Sequence, residues 1–514
     1  MAIIIQRKRI LVNNFYSKED QINFNRYLTI NKDDLYGKTI SSWLAGYEVK
    51  YNGEYYVAIA RRSNIDYIGD FLEDDGIFKK ENIPAVEATS ISLNLTAEPR
   101  DEEQQRMVDF LVGRNEYANL KNKIKKALFS ETGSGKTFSS IYDIASKGVL
   151  PLINCPNDRA IKTWKDEFKK FTDIKDDEIV VLSGKDSFKK ILKKKESVKV
   201  IMASSKTFSS FFGKKKFKEV EDFIVKMGVG MLIHDEAHLN LMVMFYLEMI
   251  ANTKYTTFLT ATPERRVYRE NSLLKTLLPP ERSTYQQIPK RRFTTIYGKY
   301  YTNLEKEAYK GCQKPRGPDF TTFANRILFN RSKANMETHT FFLKKVLLRI
   351  VKDRLKKRSK LSNGEYGRIS VVASSLEHTG ILFDYLSSEL PNYTVGRFDT
   401  TIQDINERYE ETKKDVFIST NKSMDGISNF PNLECIICLY PYGTPHIKQI
   451  MGRIRDEEKL GKRSVFIQLV DGSCKPIAKA AKRQKDSIED ISLDFKEIIF
   501  NERASIFSEV EDDD

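Results

Sequence analysis

No run of apolar residues in this chain approaches the ~18 that a bilayer-spanning helix needs, so the sequence reads as that of a soluble protein. Only Ala2 to Ile5 precede the charged stretch Gln6-Arg7-Lys8-Arg9, too short an apolar segment for a secretory signal, and a reducing, cytoplasmic setting is expected. The five cysteines fit that setting and form no disulfide framework. No self-similarity appears at the periods of about 20 to 50 residues that mark solenoids and propellers. A membrane-spanning channel, a disulfide-stapled secreted module and a repeat array are thereby set aside.

What is present is length and local charge. At roughly 150 residues per domain, 514 residues suggest about three domains with at least two cores. Lys and Arg number 85 against 71 Asp and Glu, a net charge of +14. The excess is concentrated: Gln286 to Lys360 holds 20 Lys and Arg against 5 Asp and Glu, and the remainder is near neutral. A basic block in a balanced chain points to a polyanionic partner, with a solvated helical face as the plainer reading.

Periodicity divides the chain into five parts. Residues 1–95 read as a small β-containing accessory domain, because Asn52-Gly53 separates two aromatic alternations in the pattern of a tight hairpin. Residues 96–285 alternate short apolar runs with amphipathic stretches, as buried parallel strands and their crossover helices do. Residues 286–360 form the basic linker or insertion, and 361–474 repeat the α/β alternation. Residues 475–514 read as a helical tail with an acidic end. The expected fold class is therefore α/β, with two parallel-sheet domains in tandem behind a small accessory domain.

The chemistry sits at strand ends. The run Ala127-Leu128-Phe129 leads into Ser130-Glu131-Thr132-Gly133-Ser134-Gly135-Lys136-Thr137 and then an amphipathic stretch. This is the pattern of a phosphate-binding loop, with Ser130 where Gly or Ala is usual. Gly133, Ser134 and Gly135 let backbone N–H groups curl around phosphates, Lys136 reaches the terminal phosphates, and the Thr137 hydroxyl can hold Mg²⁺. ATP and Mg²⁺ are the expected cofactors. Further on, Met231 to Ile233 deliver His234-Asp235-Glu236-Ala237-His238. Asp235 is assigned to the metal shell and Glu236 to the attacking water.

These residues in this order resemble a superfamily 2 helicase or translocase of the Asp-Glu-Ala-His type, with two RecA-like domains, over Pro99 to Asp471. The resemblance implies that Gln104 reads adenine, with Gln105 beside it as the other register. It implies that Pro156 and Asn157, before Trp164-Lys165-Asp166-Glu167-Phe168, touch a nucleic-acid backbone, as do Ser374 and Thr420. It implies that Thr260-Ala261-Thr262-Pro263 couples hydrolysis to closure, and that Gly426 lies at the nucleotide. Gln449 and the run Gly452-Arg453-Ile454-Arg455 resemble the final motif. The family's second arginine would stand at Asp456, whereas Arg455 lies one residue early, a rotation of about 100° on a helix. Arg453 is therefore the first choice for the charge facing the γ-phosphate, and Arg455 the second.

Within the superfamily, the Thr-Ala-Thr-Pro ending and the Gln-x-x-Gly-Arg core are similar to those of UvsW-type phage branch-migration helicases and poxvirus transcript-release helicases. That likeness implies a DNA substrate, branched or partly duplex, acted on in replication, recombination or repair, and the cytoplasm of an infected cell as one setting. The alternatives are an RNA helicase or transcript-release factor with the same ATPase engine, and a nucleotide-switched nucleic-acid-binding scaffold. In the basic block, Lys290, Arg291 and Arg292 are the candidate backbone contacts. Tyr300 and Tyr301 are read either as base-stacking groups or as core, and the lysines from Lys189 to Lys195 as a solvated face or a binding patch. Cys435 and Cys438 have CxxC spacing, but on a strand their thiols point to opposite faces and no second ligand pair follows.

Overall fold

In a computed structural model the chain divides into two units, Met1–Gln287 and Ile288–Asp514. The structure describes all residues except 1–2, 7–8, 14–17, 34–38, 45, 61–77, 82, 132, 262–267, 288–292, 315–316, 331, 362–363, 426–429, 431, 453–463, 490, 501–508 and 511–514. Among the described residues no helix is long and apolar enough to cross a membrane.

The first unit opens with β1 (Ile3–Ile5), β2 (Arg9–Val12), β3 (Thr29–Asp33), β4 (Thr39–Leu44), β5 (Gly46–Tyr51), β6 (Glu54–Ala60) and β7 (Phe78–Lys80). Five of these form a sheet in the order β5-β6-β2-β1-β7, while β3 and β4 pair separately. Between β5 and β6, Asn52 and Gly53 take φ of 49° and 90°, the left-handed pair that matches the twist of a tight hairpin. This small sheet shares an apolar core with the larger one: Ile10, Val57 and Ile59 are buried in the same cluster as Phe212 and Tyr246. The Tyr47 ring stacks on Phe217 with centroids 4.5 Å apart. The helix Leu241–Ile250 is apolar almost all round, with Glu248 its one charge, as a helix buried on every side must be.

The larger sheet of this unit contains β8 (Lys125–Phe129), β9 (Pro151–Cys155), β10 (Ile179–Leu182), β11 (Val200–Ser204), β12 (Met231–His234), β13 (Tyr255–Thr260) and β14 (Thr284–Gln286). All neighbours are parallel, in the order β10-β11-β9-β12-β13-β8-β14. Every residue of β9, β11 and β12 is buried, which is why these strands read as short unbroken apolar runs. The chain leaves β8 and returns as β9 three places away, so the strand order reverses beside β8. Ligands of open α/β sheets bind at such a switch point, at the carboxyl ends of the strands.

The second unit holds β15 (Phe293–Tyr300), β16 (Gln313–Lys314), β17 (Gly317–Pro318), β18 (Arg368–Ala373), β19 (Val395–Phe398), β20 (Val416–Thr420), β21 (Leu433–Cys438), β22 (Ser464–Asp471), β23 (Ser492–Phe500) and β24 (Glu509–Val510). Its main sheet has the order β19-β20-β18-β21-β22-β15-β23-β24, parallel throughout except for β24. The fold is thus α/β, with two sheets in tandem that each hold seven parallel strands, the second extended by antiparallel β24, and a small additional sheet at the N-terminus.

Two stretches differ in placement from the sequence reading. The basic block supplies β15, which sits between β22 and β23, and two helical segments, one carrying Phe323 and Ile327 and the other Phe342, Val346 and Val351, all buried in the second core. From Phe293 on, this block is built into the second unit. Among the described residues the tail is helical only over Lys475–Ile488; the segment after it returns as β23, whose Glu497 pairs with Lys299 of β15 at 2.5 Å. Charged residues interrupt β23 at Asp494, Lys496 and Glu497, so it lacks the apolar run of the other parallel strands. Tyr300 is wholly buried in the second core and is no stacking platform for bases, while Tyr301 is partly exposed against Gly472.

Candidate nucleotide site

The carboxyl ends of β8, β12 and β13 carry the site. Phe129 pairs with Thr260, and the Ser130 N–H donates to the Thr260 carbonyl at 3.1 Å, so the loop after β8 is tied to the end of β13. The loop then turns through Gly133 at φ 84° and Gly135 at φ 103° into the helix Lys136–Lys147. At Gly135 the positive φ excludes an ordinary side chain, and a Cβ there would lie 2.0 Å from Gln104 Nε2. The Lys136 ammonium donates to the carbonyls of Ser130 and Glu131 at 2.7 and 2.8 Å. Ser134 Oγ lies 2.8 Å from Ser130 Oγ, so Ser130 helps to brace the loop from the position where Gly or Ala is usual.

Gln104 belongs to the helix Glu102–Val112, capped by Asp101, which accepts the Gln104 N–H at 2.8 Å. Gln104 Oε1 accepts from the Arg100 backbone N–H at 2.8 Å, and Arg100 Nη2 donates to the Ser134 carbonyl at 3.1 Å. Gln104 therefore faces the loop, whereas Gln105 donates to Asp109 at 2.9 Å. At the other end of the helix, Lys126 of β8 donates to the Phe110 and Leu111 carbonyls at 3.1 and 2.6 Å, and Lys147 to the Leu111 carbonyl at 3.2 Å. Two cations at a helix C-terminus satisfy its open carbonyls and oppose its dipole.

β12 delivers the acid pair. The Asp235 N–H donates to the Asn154 carbonyl at 3.0 Å, and the Trp164 indole Nε1–H donates to Asp235 Oδ2 at 3.0 Å. Burial, with the adjacent Glu236 carboxylate, pushes Asp235 up to about 6, while the Trp164 bond and the Lys136 charge pull it down. Glu236 sits at φ 47°, a left-handed backbone that is uncommon for a side chain of this size and recurs at functional sites. Glu236 Oε2 lies 3.4 Å from His238 Nδ1, which is 2.8 Å from Thr260 Oγ1. Behind the pair, Asn154 Nδ2 is 3.3 Å from His234 Nδ1, and Ser205 Oγ donates to Asn154 Oδ1 at 3.1 Å.

The residues present fit a magnesium nucleotide. A glycine cradle, a lysine within it, the Thr137 hydroxyl at the start of a helix and the Asp235 carboxylate at the neighbouring strand end are the donors such a group takes. Among the described residues no cluster of three or more His, Cys, Asp and Glu could hold a metal by itself. Thr137 and Asp235 would therefore share the ion with phosphate oxygens and water.

The other residues singled out by sequence belong to other segments of the chain. Pro156 and Asn157 follow β9, and the Asn157 side chain caps the helix Asp158–Phe171 by accepting the Ala160 N–H at 3.0 Å. Ser374, after β18, is 2.8 Å from His378 Nδ1, whose Nε2 is 2.5 Å from Asn325 Oδ1. Burial lowers His378 to about 4, which leaves this ring neutral. Thr420 ends β20 and turns inward, accepting the Ser423 N–H at 3.2 Å. Gln449 lies in the helix Thr444–Met451. Gly426, Arg453, Arg455, Lys290, Arg291, Arg292, Thr262 and Pro263 lie outside the described residues. Sequence reasoning grouped Trp164 with the nucleic-acid segment and missed its bond to Asp235. It also missed Gln287, whose Oε1 accepts the Glu131 N–H at 3.0 Å. Both pairings depend on sheet order, for which no local signal exists.

The family described as "Type III restriction enzyme, res subunit" matches residues 96–265, about a third of the chain. No curated protein matches the sequence. Among solved structures, S. cerevisiae Dbp5 bound to RNA and ADP BeF3 is similar with a TM-score of 0.48 and 15% identity, over 78% of this chain and 90% of that one. The Pyrococcus furiosus Hef helicase domain gives 0.43 and 13%, over 73% and 96%. A DEAD box protein from Methanococcus jannaschii gives 0.41 and 14%, over 78% and 99%. The family match is a likeness of residues 96–265 alone, the segment that holds the phosphate loop, the acid pair and most of the first parallel sheet.

Proposed function

We propose that the chain is an ATP-dependent nucleic-acid helicase or translocase acting on branched or partly duplex DNA. The observation that carries the proposal is the division of labour along one sheet edge. Lys136, Thr137, Asp235 and Glu236 gather at β8 and β12. Further along the same edge, the ends of β10 and β11 open on a cavity of about 420 Å³ bordered by Lys206, Lys214 and Lys216, with Ser204, Thr207 and Asp158. Three lysines beside hydroxyl groups suit a phosphodiester backbone, whose affinity comes mainly from charge neutralisation.

In this reading Lys136 and the loop N–H groups bind the phosphates, Glu236 orients and deprotonates the attacking water, and His238 links that carboxylate to Thr260. Mg²⁺, when bound, supplies charge neutralisation on the phosphates. Arg453 supplies a further positive charge. The deciding experiment is ATP hydrolysis without and with single-stranded, forked duplex and matched RNA substrates, together with duplex unwinding. Forked DNA should stimulate turnover and be unwound, and Lys136→Ala should abolish hydrolysis in a folded protein. Stimulation by RNA alone would move the substrate assignment, and turnover by Lys136→Ala would reject the site.

A further inference from the structure

The helix Asp158–Phe171 touches both halves of this arrangement. Its first residue, Asp158, lines the lysine-bordered cavity. Its seventh, Trp164, is buried at 1% exposure and donates its indole N–H to Asp235 Oδ2 at 3.0 Å. Six residues of helix span ~9 Å, so less than two turns connect cavity and carboxylate. The indole N–H is a donor only, which fixes the direction of the bond and assigns one Asp235 oxygen to Trp164. The ring itself is wedged in the core beside Phe168, with centroids 6.0 Å apart. It therefore cannot follow the carboxylate unless the helix moves.

We propose that Trp164 is a positioning residue that sets the orientation of the Asp235 carboxylate toward the magnesium nucleotide and makes that orientation depend on the seating of the helix that borders the cavity. The inference rests on the reading of function given above and deepens it. A strand that occupies the cavity bears on the first turn of the helix, and the same rigid element carries the donor that holds Asp235. Nucleic acid and metal binding are then linked through one hydrogen bond, and by thermodynamic reciprocity each should change the affinity of the other by the same factor.

Trp164→Phe removes the donor and keeps a flat apolar ring. Its affinity for a fluorescent ATP analogue in EDTA should stay within about two-fold of wild type. The gain in affinity on adding Mg²⁺ should fall about ten-fold or more, as for loss of a hydrogen bond to a charged group. Stimulation of hydrolysis by DNA should fall in parallel. A second measurement does not depend on that variant folding: the chain has two tryptophans, Trp43 and Trp164, so Trp43→Phe leaves Trp164 as the sole indole. Its emission should change with Mg²⁺ plus nucleotide, and with DNA, but not with nucleotide in EDTA.

A folded Trp164→Phe protein with an unchanged Mg²⁺ requirement, or a Trp164 emission indifferent to Mg²⁺, overturns the proposal while leaving the ATPase reading intact. A wild-type chain that binds no magnesium nucleotide overturns both.

Discussion

Gln287 Oε1 accepts the backbone N–H of Glu131 at 3.0 Å, while the Gln287 N–H donates to the Phe129 carbonyl at 2.8 Å. The last residue of the first unit thus extends the β14–β8 pairing by one step and grips the entrance of the phosphate loop with its side chain.

The acceptor atom is what matters at this position, so two substitutions of similar size should behave differently. Gln287→Glu keeps an oxygen facing the Glu131 N–H, whereas Gln287→Met keeps the volume and leaves a half-buried N–H unmatched. Gln287→Met should weaken nucleotide binding about two- to twelve-fold, the range for one net hydrogen bond, with Gln287→Glu closer to wild type. Equilibrium titration with a fluorescent nucleotide checks this, and equal affinities for the two variants would count against the grip.

Lys126 gives a prediction in pH. Burial lowers its ammonium to about 8 in the folded chain, while in the unfolded chain it titrates near ~10.4. Between these values the unfolded state binds more protons, so folding stability rises with pH; below about 8 both states are charged and the burial penalty is present in full. Lys126→Met lacks this titration and also loses the two bonds to the Phe110 and Leu111 carbonyls. The stability advantage of wild type over the variant should widen between about pH 8 and 10, by up to ~1.4 kcal/mol per unit. Urea melts at stepped pH measure it, and a constant gap would show that Lys126 remains charged.

The parts of the site legible in sequence are those built by neighbours along the chain. Gly133, Gly135, Lys136 and Thr137 announce a loop because their conformational freedom and charge are needed within eight residues. Asp235 and Glu236 are marked by the apolar strand that delivers them. The hairpin at Asn52-Gly53 is legible for the same local reason. The bonds from Trp164 to Asp235 and from Gln287 to Glu131 join residues 71 and 156 apart. They exist only once β9, β12, β8 and β14 take their order, which no local pattern specifies. Tyr300 has one composition and two readings until β15 is placed between β22 and β23 under the helical run of the basic block. β23 was hidden by its own charges.

Arg453 and Arg455 test the register of the final motif. The helix Thr444–Met451 carries Gln449 just ahead of them, and the spacing argument favours Arg453 for the charge that meets the γ-phosphate. An arginine in that role is worth about 10³ to 10⁵ in rate. Arg453→Ala should therefore lose most turnover with nucleotide affinity nearly unchanged, and Arg455→Ala should lose less. Single-turnover hydrolysis of both variants decides the register, and a larger defect in Arg455→Ala reverses the assignment.

The basic block offers two candidate contact surfaces, which differ in what they share with the core. Lys290, Arg291 and Arg292 immediately precede β15, whereas Lys345, Lys352 and Lys356 are exposed along the helical run whose other side buries Phe342, Val346 and Val351. Each phosphate neutralised by a cation releases counterions, steepening log affinity against log salt by about 0.9 for duplex DNA and about 0.7 for single strands. If Lys290, Arg291 and Arg292 contact the backbone, their joint replacement by Gln should flatten the slope by up to about two to three units. Affinity should fall for unrelated sequences alike, because phosphate contacts carry no base information. Hydrolysis in the absence of nucleic acid should hold, since Lys136, Asp235 and Glu236 lie in other segments. Replacing Lys345, Lys352 and Lys356 by Gln provides the comparison: a slope lost only there moves the track onto the helical face, and an unchanged slope in both triple variants leaves the block as solvated charge.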